Sequence, residues 1–134
     1  MNRLLILGIA IALGGLFLVA YNRYRTGWTP WPERLGIDEL GLELMTGCCA
    51  FVVFTTPSCR PCKAALKVVR AAVEEATAVT EIKTVDAMEH PELATRYEVR
   101  TIPTVFLITA SGHVIRRWRD VPEPEDLRVA LTTV

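Results

Sequence analysis

Hydrophobic and polar positions divide the chain into two parts with different rhythms. Residues 4–21, LLILGIAIALGGLFLVAY, hold no charge and no strongly polar side chain. A run without a polar stripe does not read as the core-facing helix of a globular domain. As a helix rising about 1.5 Å per residue it would span roughly 27 Å, close to the hydrocarbon thickness of a bilayer. Arg3 precedes the run, Arg23 and Arg25 follow it, and Tyr21, Tyr24 and Trp28 stand where interfacial aromatics belong. Gly8, Ala12 and Gly15 lie near one helix face, a pattern that permits close helix packing. Residues 1–28 are therefore expected to form a single transmembrane anchor with its interfacial flank, embedded through residues 4–21. The rival is a cleaved signal peptide, whose apolar region runs about 7–15 residues and ends in a small-x-small site. This run is longer, and Leu18-Val19-Ala20 is a poor site. Two signals oppose each other on orientation. Arg23, Arg25 and Arg34 after the run outnumber Arg3 before it, which points to a cytoplasmic C-terminal domain. The short tail before the run is that of a signal anchor sending its C-terminus outward.

Beyond residue 28 the pattern becomes that of a globular domain. Residues 29–36, TPWPERLG, carry two prolines and a glycine and read as a short semi-rigid linker. Residues 37–134 then form one compact domain. Apolar positions 37, 40, 44 and 45 predict a short helix ended by Gly47. Residues 50–55, AFVVFT, are a continuous apolar run, as in a strand buried on both faces. From Cys59 the spacing turns helical, with Leu66, Val69, Val73 and Ala76 on one face and Lys63, Lys67, Arg70 and Glu74 on others. Residues 81–86 alternate like a strand, and 90–97 form a short helix with Pro91 in its first turn. Strands at 104–109 and 113–119 flank the Ser111-Gly112 turn as a hairpin. An amphipathic helix over 124–131 closes the chain. The order α-β-α-β-α-β-β-α predicts an α/β fold, a mixed sheet with helices on both faces.

Charge narrows the function. The whole chain balances fifteen basic and fifteen acidic residues, and residues 29–134 carry twelve basic against fifteen acidic, a net charge of −3. That excludes a nucleic-acid binder working through bulk electrostatics. With 51% hydrophobic and only 22% charged residues, a disordered chain is excluded as well.

The chemistry is concentrated in Ser58-Cys59-Arg60-Pro61-Cys62-Lys63, at the point where the apolar strand hands over to a helix. Two cysteines spaced in this way at a helix start can close a small disulfide ring. The first lies where free backbone N–H groups and the helix dipole stabilise a thiolate, the form that attacks disulfides. Arg60 adds a nearby cation, and Pro61 occupies the first turn, where its missing N–H costs nothing. The second cysteine would lie one turn inward, shielded, and able to resolve a mixed disulfide. A Cys-x-x-Cys near a βαβ pattern is a redox signature. It is also half of a zinc site, for which Cys48 and Cys49, with His90 and His113, are the further ligands at hand. Adjacent cysteines rarely chelate one ion together, and no metal is expected. Cys48 and Cys49 read instead as two small apolar residues at a strand start, the alternative being a second redox relay.

At these residues the chain resembles the thioredoxin superfamily. The resemblance spans about residues 37–133 and rests on three matches. These are Cys59-Arg-Pro-Cys62 after an apolar strand, Asp86 closing the next strand, and Arg100-Thr-Ile-Pro103-Thr before another apolar strand. It implies a thioredoxin-like fold and a thiol–disulfide oxidoreductase, reductive rather than oxidative. Cys59 would be the nucleophile, Cys62 the resolving thiol, and Arg60 and Pro61 the tuning residues between them. Pro103 would be the family's cis-proline and Ile102 the residue whose backbone meets an extended substrate segment. The implied partners are protein disulfides or dithiols and an upstream electron donor. The redox-active disulfide would serve with no other cofactor. Two positions depart from the family pattern. Ser58 stands where tryptophan commonly precedes the first cysteine, and Val53 where many members bury an aspartate that moves the proton of the second thiol. A tethered binding module with a structural Cys59–Cys62 disulfide is the alternative these departures raise.

The remaining polar residues read as structural. His90 is expected at a helix N-terminus and His113 beside the hairpin turn. Arg116, Arg117 and Arg119 are expected as an exposed rim of an edge strand, with Trp118 packed.

Overall fold

The computed structural model describes residues 2–25 and 32–134. The chain divides into two compact units, Met1–Pro30 and Trp31–Val134. Trp28 and residues 29–31 of the expected linker lie outside the described residues. In the first unit, α1 runs Asn2–Arg25. Its stretch Asn2–Tyr21 is long and apolar enough to cross a membrane, and none of it is buried. A core helix is thereby set aside, and a membrane span or a signal sequence fits a helix of this composition near an N-terminus.

The second unit is built on β1, Cys49–Thr55, whose first six residues are all fully buried. It pairs in parallel with β2, Thr80–Asp86, and antiparallel with β3, Thr104–Thr109, which in turn pairs antiparallel with β4, Val114–Trp118. The sheet order is β2-β1-β3-β4. Because side chains alternate along a strand, β1 feeds two cores. Ala50, Val52 and Phe54 join Phe106 and Ile108 of β3 beneath α2 (Ile37–Leu40) and α4 (Pro91–Arg96). Cys49, Phe51 and Val53 join Val105, Leu107 and Trp118 beneath α3 (Arg60–Glu75) and α5 (Pro124–Thr132). This is the expected mixed sheet with helices on both faces.

Two expectations need correction. The helix expected to run to Met45 stops at Leu40, because Gly41 takes a left-handed conformation at φ 64° and its N–H turns back to the Asp38 carbonyl. Leu42 and Leu44 still reach the core, from backbone that is not helical. The spacing of Leu44 from Ile37 and Leu40 imitated a helix face. The second correction concerns the linker. Its described part is not free of the domain: Leu35 N–H donates to the Gly112 carbonyl at 2.8 Å, Val114 N–H to the Glu33 carbonyl at 2.9 Å, and Arg34 pairs with His113. Leu35 is buried. Residues 33–35 form a strap across the β3–β4 turn.

A tripod at Tyr97 ties α2 to the end of α4. The phenol donates to Glu39 at 2.6 Å and accepts from Gly36 N–H at 2.8 Å, while Arg96 pairs with Glu39. The Tyr97 bond, aided by Arg96, holds the Glu39 carboxyl below its ordinary range, and burial raises the phenol. The Glu39 contribution is therefore complete above the ordinary carboxylate range and is lost as pH falls from there through its lowered value in the folded state.

Gly112 is the tightest point of the strap. Its φ is +84°, and a Cβ there would come within 2.3 Å of the Leu35 carbonyl oxygen. Gly47 shares the left-handed backbone, at φ +87°, but has open space around it. Gly47→Ala is expected to cost only the backbone penalty, on the order of 1–3 kcal/mol. Gly112→Ala must displace the strap as well and loses more. Denaturant midpoints of the two full-chain variants check this, and equal losses would show that the strap contributes nothing.

Candidate active site

The redox pair is placed by the end of β1. After Thr55 the chain passes through Thr56, Pro57 and Ser58 to Cys59, the N-cap residue of α3, whose N–H donates to the Thr56 carbonyl. Cys59 has extended backbone, φ −83° and ψ 109°, and its sulfur accepts from Cys62 N–H at 3.2 Å. That places the sulfur as the cap of free N–H groups at the positive end of a helix sixteen residues long. Cys59 and Cys62 are joined by a disulfide, with Cα atoms 5.3 Å apart. The two sulfurs have different surroundings: Cys59 is partly exposed, whereas Cys62 is 2% exposed behind the first turn. Pro61 sits in that turn and Arg60 is exposed at its start.

The register of the sheet brings a second loop to the same end. Phe54 of β1 lies opposite Thr104, the first residue of β3. Pro103 therefore enters the sheet beside the point where β1 leaves it for Cys59. The Ile102–Pro103 peptide bond is cis. Pro103 is fully buried, and Ile102 is half-buried against the core under α4. The fully buried Thr104 hydroxyl donates to the Thr101 carbonyl at 2.6 Å, and the Thr101 hydroxyl donates to the Arg119 carbonyl at 3.1 Å. Asp86, opposite Thr55 on β2, is half-buried and accepts from Met88 N–H at 2.8 Å.

The two departures are now placed. Val53 is fully buried in the core beneath α3. Ser58 is exposed and adds no ring to the rim. Two of the further ligands considered for zinc, Cys49 and His113, lie at the far end of the sheet from the pair. Cys49 starts the strand whose far end leads to Cys59, and seven residues of strand extend about 20 Å. His113 lies at the β3–β4 turn, at the Cys49 end. Among the described residues no group of three or more His, Cys, Asp or Glu side chains is placed to hold a metal. Cys49 is fully buried and lies 3.2 Å from the Thr80 hydroxyl, as a packed small residue. His90 is the N-cap residue of α4, half-exposed beside Glu92.

The expectation of three rim arginines fails at one of them. Arg116 is exposed above Trp118, but Arg117 is only 8% exposed and lies over the Phe106 ring, 5.2 Å from its centroid. Burial, reinforced by Arg119, holds its guanidinium below the ordinary arginine range. The missed signal was the pair itself. Consecutive strand residues face opposite sides, so Arg116 and Arg117 do not share one rim, and packing over Phe106 buries Arg117.

Comparison with known proteins agrees with this geometry. Residues 46–132 match the thioredoxin family. A thioredoxin of Methanocaldococcus jannaschii is 33% identical over 55 residues, which cover 41% of this chain and 65% of that relative, just under two thirds of its length. Among solved structures, Fasciola hepatica thioredoxin is 27% identical with a TM-score of 0.56, covering 72% of this chain and 86% of its own. Thioredoxin-2 of the malaria parasite shares the fold, with a TM-score of 0.60 at 16% identity, over 68% of this chain and 87% of its own.

The burial difference predicts a labelling order. In the reduced, native full chain, iodoacetamide is expected to modify Cys59 at least about tenfold faster than Cys62, because exposure and a stabilised thiolate both govern thiol reactivity. Cys49 is expected to stay unmodified until denaturant is added. Peptide mass spectrometry reads all four sites, and equal labelling of Cys59 and Cys62 would show that the fold does not distinguish the two sulfurs.

Proposed function

The chain belongs to the thioredoxin family, and from that premise we propose that it reduces disulfides of partner proteins through Cys59 and Cys62 while anchored in a membrane by α1. The reaction balances as two exchanges. The Cys59 thiolate attacks one sulfur of the partner's disulfide, and the other sulfur leaves as a thiolate and takes up a proton. A Cys59–partner mixed disulfide results, lying against the Ile102-Pro103 loop. Cys62 then loses its proton and attacks the Cys59 sulfur, and the partner's second thiolate departs. The partner has gained two electrons and two protons, and the Cys59–Cys62 disulfide has formed. An upstream dithiol donor returns it to the reduced state.

The observation that carries the proposal is the asymmetry of the pair. A partly exposed sulfur caps α3, a buried one lies one turn behind it, and both stand at the sheet end where Pro103 enters β3. Thioredoxins are the relatives this chain matches, which favours the reductive direction. Val53 favours a second reading. With an aliphatic side chain in the core where many relatives place a carboxylate, the disulfide would be structural and the domain a tethered binding module.

Two variants of the full chain, in detergent micelles with dithiothreitol as donor, separate the readings. Cys59→Ser is expected to bring reduction of insulin disulfides down to the uncatalysed rate. Cys62→Ser is expected to accumulate a mixed disulfide with insulin, visible as a mass increase that excess thiol removes. Equal rates in wild type and Cys59→Ser would establish the binding module. The reduction potential of the pair sets direction: about −270 mV fits a reductant, and about −120 to −180 mV a dedicated oxidant or isomerase.

A further inference from the structure

Arg117 is a buried cation with too few partners. Its Nη2 donates to the Glu98 carbonyl, while Nε and Nη1 are buried and meet no hydrogen-bond partner among the described residues. Burying a guanidinium incompletely satisfied is unfavourable, and replacing it with an apolar side chain of similar length is commonly neutral or stabilising. Stability of the fold therefore does not account for it.

Its position does. Glu98 begins the segment that leads to Ile102 and Pro103, and it holds a left-handed backbone at φ 56°, unusual for a residue with a side chain. The segment hangs between α4 and β3. At its start, Val99 N–H returns to the Ala94 carbonyl. Across it stand β4 and the residue that follows it: Arg117 grips the Glu98 carbonyl, and the Arg119 carbonyl accepts from the Thr101 hydroxyl. Arg117 is held in turn by the Phe106 ring, itself fully buried opposite it on β3. The guanidinium is a rigid post between the sheet and the loop.

We propose that Arg117 is a positioning residue for substrate recognition. It orders residues 98–102 from beneath, so that the backbone at Ile102 is presented to the extended segment of a protein disulfide. The inference rests on the oxidoreductase reading above and adds the element that sets its preference for protein over small-molecule disulfides. A small disulfide needs only the Cys59 sulfur, whereas a protein segment also needs the ordered loop.

The test compares Arg117→Met, which keeps the stem over Phe106 and removes the donor and the charge, with wild type as the full chain in micelles. Each is pre-reduced and mixed with insulin or with dithiobis-nitrobenzoate in stopped flow. The second-order rate constant with insulin is expected to fall about tenfold, the equivalent of one hydrogen bond from a charged donor, with the aromatic disulfide changed less than about twofold. Thermal stability is expected to hold or rise, and amide exchange at Val99, Thr101 and Ile102 to accelerate. Arg117→Lys, which keeps a cationic donor, is expected to restore part of the insulin rate. Equal falls with both disulfides, or no change with either, would overturn the proposal. Should wild type react with neither disulfide, the oxidoreductase reading fails by itself, and unchanged amide exchange in Arg117→Met then overturns the positioning role independently.

Discussion

Burial of β1 on both faces is the constraint on which the rest of the domain depends. From Cys49 to Phe54 every residue is removed from solvent, and each large apolar side chain so buried contributes about 1.5–3 kcal/mol. Because those side chains alternate, one strand supplies the floor of two separate cores. Its neighbours must then be paired on both edges, and helices must cover both faces. The strand cannot continue past Thr55, where Pro57 lacks the N–H a central strand requires. The chain is released at that point with its direction fixed, and the next helix begins with Cys59 as its cap. The reactivity expected of that sulfur is set by a packing requirement in the strand upstream.

The pair and its surroundings divide the electrostatic work unevenly. The Cys59 sulfur accepts from the Cys62 N–H at the positive end of α3. Val53, in the core beneath α3, offers no charge and no side-chain hydrogen bond. The ionic groups lie instead around the loop that faces the pair: Arg117 beneath Glu98, with Arg100 and Arg119 acting on its charge. The buried charge of this domain lies under residue 98, at the start of the segment that leads to Pro103.

Much of this is legible from residue order. The six apolar residues of β1, the cysteine spacing at a helix start and Ile102-Pro103-Thr104 ahead of a second apolar run point to the main elements and the resemblance. The features that escape do so for physical reasons. Leu44 continues the helical spacing of Ile37 and Leu40, but Gly41 at φ 64° ends the helix before it, and periodicity cannot see a backbone dihedral. Arg117 reads as solvent-facing because a charge on an edge strand usually points there. The covered face of the sheet, a tertiary fact, turns it inward over Phe106. Glu33, Arg34 and Leu35 lie among prolines and a glycine that suggest a spacer, and only the pairing partners on the β3–β4 turn reveal their role.

That strap has a consequence for how the domain can be separated from the rest of the chain. Leu35 is a buried residue of the core under α2 and α4, and its carbonyl lies where no side chain on residue 112 would fit. A protease or an expression boundary placed at residue 37, where the regular elements begin, would pull a stopper out of that core. It would leave the Gly112 carbonyl and the Val114 N–H facing water at the sheet's open edge, a template for another strand. The smallest autonomous piece of this molecule therefore includes Glu33 and Leu35.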